Sequence, residues 1–179
     1  MITFFKIYEK DKYYNRDVID AVIFNDEKLL DKLIEQGANL DVLSNIQKQN
    51  QTSQQKTALM YLSGYEHFMI RNDYAKLHNR MAKKLIDAGA DVNVIAPNNF
   101  TALMYASLQK NHYILNLLIK NGAYWNVYNH QGKSFLELVD LLSNIKTNHK
   151  AKIIEKYPEL YKEYLKQKEL DNITNKYNL

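Results

Sequence analysis

The chain has 179 residues, 46% of them hydrophobic and 25% charged, which is ordinary globular composition at one-domain size and excludes a disordered or low-complexity chain. It holds no cysteine, so disulfides, thiolate nucleophiles and cysteine-based zinc sites are excluded as well. The formal charge of +4 rests on 21 Lys and only 3 Arg, a poor endowment for the bidentate base contacts by which proteins read nucleic acid.

Residues 1–14 are rich in aromatics (Phe4, Phe5, Tyr8, Tyr13, Tyr14) and are expected to cap one end of the molecule. The apolar run at Met1–Ile7 is too short for a secretory signal peptide. No window approaches the ~18 apolar residues of a membrane span, so a soluble product is expected. Two short helices follow. Val18, Ala21 and Val22 mark the first, and Asn25-Asp26 makes the turn. Leu29, Leu30, Leu33 and Ile34 form the expected buried stripe of the second, which Gly37 ends. Ser44–Lys56 is polar, glutamine-rich and without apolar period; it reads as a long finger or loop. Lengthening a loop costs only about 0.6 kcal/mol per doubling, so such an insertion is tolerated.

A second pair opens at Thr57, whose hydroxyl can cap the first turn, and closes at Gly89. It is longer than the next pair. The extra residues, around Tyr65–His78, are too apolar for a free loop and are expected to lengthen one or both helices. Thr101 opens the third pair, with Leu103 and Ala106 on one face and a polar break at Lys110-Asn111-His112. Ile114, Leu115, Leu117, Leu118 and Ile119 then give a broad apolar face, closed by Gly122. Gly132-Lys133-Ser134-Phe135-Leu136 opens a fourth pair, continued by Leu138, Val139 and Leu142. After a polar turn at Ser143–Lys150, its second helix carries Ile153, Ile154 and Tyr157. Pro158 can stop that helix and start another. There Leu160, Tyr161, Tyr164 and Leu165 make a stripe expected to cap the other end, with fraying from Asp171 onward.

These pairs repeat one pattern. Gly89 and Gly122 stand 33 residues apart, as do Thr101 and Ser134. The helix starts read Thr57-Ala58-Leu59-Met60-Tyr61-Leu62 and Thr101-Ala102-Leu103-Met104-Tyr105-Ala106, and one closing glycine leads into Gly89-Ala90-Asp91-Val92-Asn93. On that period and those starts, the chain resembles the ankyrin-repeat family over about three quarters of its length. The resemblance implies an all-α solenoid of about four helix-turn-helix repeats with N- and C-terminal capping segments. A single domain at 1–170 then divides into an N-terminal cap at 1–14, repeat 1 at 16–43 and repeat 2 at 44–94 with both insertions. Repeat 3 falls at 97–127, repeat 4 at 130–157 and a C-terminal capping helix at 158–170, leaving 171–179 as a frayed tail. Three departures stand out. Ala102 and Met104 replace the proline and histidine of the helix start, Asn99 stands where glycine is common, and Tyr124-Trp125 replaces Asp-Val.

Nothing in the chain points to catalysis. His67, His78, His112, His130 and His149 include no H-x-x-x-H pair, and the five glycines form no phosphate-binding loop. Asp11, Asp26-Glu27 and Asp31 form an acidic group, but on a surface expected to be convex rather than in a cleft. No catalytic, metal or cofactor residues are therefore expected. Lys146–Lys156 is the best candidate for nucleic acid, yet Glu155, Glu159 and Glu163 interleave with it as on a solvated helix.

By resemblance, two positions near the end of each first helix face a concave groove: Ile23-Phe24, Gly64-Tyr65, Leu108-Gln109 and Leu141-Leu142. Their hairpin-side neighbours would be Lys56, Asn98, Phe100, His130, Gln131 and Lys133. Large apolar or aromatic side chains occupy this stripe in every repeat, where solubility alone would favour polar ones. The expected partner-binding set is Ile23, Phe24, Tyr65, Phe100, Leu108, Gln109, Leu141 and Leu142. The competing reading is that cap or insertion residues cover the stripe. The resemblance implies a non-catalytic protein–protein interaction module, monomeric when free, that takes an unidentified protein in its groove and hairpin tips. No small-molecule substrate and no membrane contact are expected. One use is an effector-like protein of a host-associated bacterium, delivered into a host cell without a cleavable signal peptide. The other is a cytoplasmic neutraliser of a toxin or enzyme. The alternative is a nucleic-acid-binding or enzymatic domain.

Overall fold

Short polar side chains start the helices and glycines stop them. The computed structural model describes residues 17–44, 55–64, 72–109, 111–141 and 149–177. Asp17 accepts from the backbone N–H of Ile19 (2.8 Å) and Asp20 (3.0 Å) and opens α1, Val18–Ile23. Asp26 accepts from Leu29 N–H at 3.0 Å and opens α2, Glu27–Glu35. The Thr57 hydroxyl accepts from Met60 N–H (3.2 Å) and caps α3, Ala58–Ser63, which is followed by α4, Asn72–Asp87. Thr101 caps α5, Ala102–Leu108, through Met104 N–H (3.3 Å), and Asn111 caps α6, His112–Lys120, through Ile114 N–H (3.2 Å). Each cap fills one of the donors that a helix N-terminus leaves free. The threonine cap thus forms with Ala102 and Met104 in the helix start.

The fourth pair starts differently. Glu137 accepts from both the backbone N–H (2.7 Å) and the hydroxyl (3.0 Å) of Ser134, at the start of α7, Phe135–Leu141. This is half of the reciprocal Ser-x-x-Glu arrangement that marks a helix entrance. Then come α8, His149–Lys156, and α9, Pro158–Tyr177.

The recurrent glycine has a local cause. At the end of α6, Gly122 N–H reaches Ile119 O (3.1 Å) and Ala123 N–H reaches Leu118 O (3.1 Å), with Gly122 at φ +80°. The same pair of bonds closes α2 at Gly37-Ala38 and α4 at Gly89-Ala90. This closure needs a left-handed residue, which glycine supplies without a Cβ penalty. Asn99 takes that conformation too (φ +58°), 33 residues before its counterpart Gly132 (φ +68°).

Helices α1, α3, α5 and α7 stack in one layer, each against the next. Helices α2, α4 and α6 stack behind them in a second layer, and no strand occurs among the described residues. The core lies between the layers, sealed by Leu59, Leu62, Leu103, Met104, Met81, Leu85, Ile114, Leu118, Phe135 and Leu136. Trp125, buried, meets Phe135 edge-on at 4.9 Å and Tyr157 at 6.3 Å, tying the third hairpin to the fourth pair.

Hairpins between the pairs share one base. Ala96 N–H donates to Phe100 O (2.9 Å), Asn129 N–H to Lys133 O (3.0 Å) and Ser44 N–H to Lys56 O (2.9 Å). Ser44 Oγ fastens the last of these further by accepting from Lys56 N–H (3.2 Å). Residues 45–54, most of the polar insertion, lie outside the described residues. Neighbouring fingers are stitched by side chains. Asn93 donates to Gly122 O (3.1 Å) and accepts from Tyr124 N–H (2.8 Å), and His130 donates to Pro97 O (3.1 Å).

Several expectations change in detail. The insertion near Tyr65–His78 does lengthen a helix: α4 has 16 residues against nine in α6. Its first part, residues 65–71, falls outside the described residues, as does the aromatic segment at 1–14. In α2 only Leu30 is sealed; Leu29, Leu33 and Ile34 are half-buried, because the described neighbour of α2 in its layer, α4, lies on one side. In α9 the expected stripe splits. Tyr164 is buried and Tyr161 half-buried, while Leu160 and Leu165 are exposed, since i, i+1, i+4, i+5 spacing spans more than one side of a helix. Finally, α9 continues to Tyr177 instead of fraying at Asp171. No glycine or proline interrupts it there, and Gln167 donates to Asp171 at 2.8 Å, one turn on.

Candidate partner-binding face

The sequence-derived positions fall at the ends of the inner helices and just before their starts. Ile23 ends α1 and is half-buried against the core, and Phe24 follows it with 42% of its surface exposed. Leu108 ends α5, half-buried, and Gln109 caps it. Leu141 ends α7. Phe100 stands before Thr101 with its ring 5.1 Å from that of Tyr105. Of the eight sequence-derived positions, six are thus placed at inner-helix ends or hairpin bases; Tyr65 and Leu142 lie outside the described residues. The physical origin of the exposure is the layer geometry. The inner helices turn one side toward α2, α4 and α6, and among the described residues no second layer of helices lies over their other side.

One constellation here was visible only in part from the sequence. Lys56 Nζ sits 4.4 Å from the centroid of the Tyr105 ring and 5.7 Å from that of Tyr61. It therefore bridges α3 and α5, the inner helices of adjacent repeats. Ser44 Oγ lies 3.0 Å from Tyr61 OH, and Asn98 Nδ2 donates to Tyr105 OH at 3.2 Å, so both hydroxyls are held. Gly64 permits the close approach: a Cβ there would come within 3.2 Å of Tyr105 Cδ1. Burial pushes the Lys56 ammonium below its ordinary value of 10.5 and raises the Tyr105 hydroxyl above 10.0. The signal in the sequence was the repeated tyrosine in Thr-Ala-Leu-Met-Tyr, together with a lysine directly before the first threonine.

The acidic group on the other layer has a structural occupation. Glu27 accepts from Arg80 Nη2 (3.0 Å) and Nε (3.3 Å), while Lys84 reaches Asp31 at 2.6 Å and Glu27 at 3.1 Å. Arg80, by its hydrogen bond, is the largest single influence on Glu27, and the net result is a carboxyl held below its ordinary 4.5. These pairs join α2 to α4, and Asp26 is the α2 cap. His78, buried, bonds through Nε2 to Asn25 Oδ1 at 2.5 Å across the same joint. In the basic segment the described part is α8, where Lys156 donates to Asn116 Oδ1 (3.0 Å) rather than standing free.

A row of helix pairs with a common glycine closure, a finger between pairs and an apolar inner-helix face defines a stacked-repeat scaffold. The family model for ankyrin repeats in three copies matches residues 18–129, and the chain belongs to the ankyrin-repeat family. The match ends before α7, so the fourth helix pair lies beyond it. No curated protein matches the chain. Ankyrin repeats are in general protein–protein interaction modules and typically non-catalytic. No described helix is long and apolar enough to cross a membrane.

Proposed function

We propose that the chain is a non-catalytic binding module that holds a protein partner on its inner-helix face and hairpin bases, using Ile23, Phe24, Tyr65, Phe100, Leu108, Gln109, Leu141 and Leu142. The supporting observation is Phe24, a large aromatic 42% exposed at the end of an inner helix, beside the half-buried Ile23, whose counterpart two repeats on is half-buried Leu108. Burying one such side chain contributes about 1.5–3 kcal/mol, so three or four anchors sustain micromolar binding after the cost of association. In this reading the free chain is a monomer and needs no cofactor. Two biological uses follow from it. Either the protein is an effector-like product of a bacterium, acting inside a host cell, or it neutralises a toxin or enzyme in the cytoplasm that makes it; a secretion assay separates them.

The test is affinity capture with wild type, with Phe24→Ala plus Leu108→Ala, and with Tyr113→Ala, whose ring is exposed on α6. The proposal expects a partner captured by wild type and by Tyr113→Ala but lost by the double variant, with unchanged melting temperature. Equal capture by all three removes the inner face from the account. A large melting drop in the double variant assigns those residues to the core.

A further inference from the structure

The half-buried lysine at the base of this face carries a charge that no carboxylate among the described residues compensates. Lys56 Nζ lies over the Tyr105 and Tyr61 rings (4.4 and 5.7 Å), and among the described residues no carboxylate pairs with it. Three cations of α4, by contrast, are ion-paired: Arg80 on Glu27, Lys83 on Asp87, Lys84 on Glu27 and Asp31. The residues just before the inner helices of successive repeats are Lys56, Phe100 and Lys133. Lys133 is half-buried at its hairpin base and likewise forms no ion pair among the described residues. The row therefore reads cation, aromatic, cation.

We infer that this row receives an extended acidic segment of the partner protein, with one carboxylate seated on Lys56 in its tyrosine frame. The inference rests on the inner face being the binding face. A cation already desolvated by aromatic rings has little hydration left to lose when an anion arrives, so the pairing is strong for its exposure. The rings of Tyr61 and Tyr105, held by Ser44 and Asn98, fix the ammonium in place beforehand. Stacked helices lie about 8–10 Å apart, which puts Lys56 and Lys133, two repeats apart, roughly 16–20 Å from each other. An extended chain advances about 3.3 Å per residue. Two carboxylates about five or six residues apart, with an apolar residue between them for Phe100, match the row.

A displayed library of random peptides long enough to span three repeats tests this, panned on the whole chain. Enriched sequences should be rich in Asp and Glu, and a synthetic copy should lose about tenfold in affinity for Lys56→Gln. Binding should weaken with salt and stay unchanged for Lys152→Gln, whose side chain is exposed on α8. Neutral or basic peptides that need Phe24 and Leu108 but ignore Lys56→Gln overturn the acidic ligand and leave the inner face standing. Peptides indifferent to every one of these variants, or no enrichment, overturn both. Displacement of the acidic peptide by single-stranded DNA at equal concentration assigns the row to phosphate instead and overturns a protein ligand.

Discussion

A lysine held over two aromatic rings carries its charge against the cost of lost hydration, and burial accordingly draws the Lys56 pKa down. The sign of the linkage follows. Between the lowered folded value and the ordinary 10.5, the unfolded chain binds more protons than the folded one, so stability rises with pH in that window. Lys56→Gln removes the penalty. It should melt above wild type at pH 7, and the gap should close once pH exceeds 10.5; calorimetry of both chains over pH 7–11 measures the difference. Glu27 runs the other way. Its lowered carboxyl pKa contributes stability that is present above 4.5 and lost as pH falls through the folded value. Glu27→Gln should therefore melt below wild type at pH 7 and match it in acid. Neither partner choice was legible in the sequence. Lys56 and Tyr105 are 49 residues apart and Glu27 and Arg80 are 53; no period links either pair, because one insertion falls between the first two and both fall between the second.

Elements were far more readable, because each is set by a few local atoms. Thr57 and Thr101 announced their helices, and they cap them. Gly37, Gly89 and Gly122 announced helix ends, and each makes the same two closing bonds at positive φ. A Cβ at Gly122 meets nothing within 4 Å, so its replacement costs backbone strain alone. Gly122→Ala should lower stability by about 1–2 kcal/mol without disturbing the repeat, as read by urea denaturation with an unchanged m-value. Asn93 works between elements rather than within one. It spans two fingers with one bond given and one received, so Asn93→Ala should cost about 1–3 kcal/mol and raise amide exchange at Tyr124 first. The sequence marked Asn93 only as part of a motif. Its reach to the next finger depends on how the repeats stack, which no local pattern encodes. The same holds for α9, where the apolar spacing named four contacts and the packing of Ser134 on Tyr164 (3.0 Å) and Glu137 on Lys168 (2.6 Å) selected one side of the helix.

A stack of this kind gains stability from each repeat and from each joint between neighbours, so its ends are its weak places. One end shows half-buried Leu29, Leu33 and Ile34 on α2; at the other, α9 is fastened to the start of α7. Stopping the chain after Tyr157 should lower the melting temperature and quicken exchange in α7 and α8 before α5 and α6, since loss spreads inward from the exposed joint. The central claim concerns the face instead: inner-helix ends and hairpin bases are where a partner sits. Hydrogen–deuterium exchange of the chain with and without a partner captured by its intact form measures that directly. The account predicts new protection at Ile23–Asn25, Lys56–Tyr61 and Phe100–Gln109, with α6 unchanged. Protection confined to α4 and α6 would contradict it.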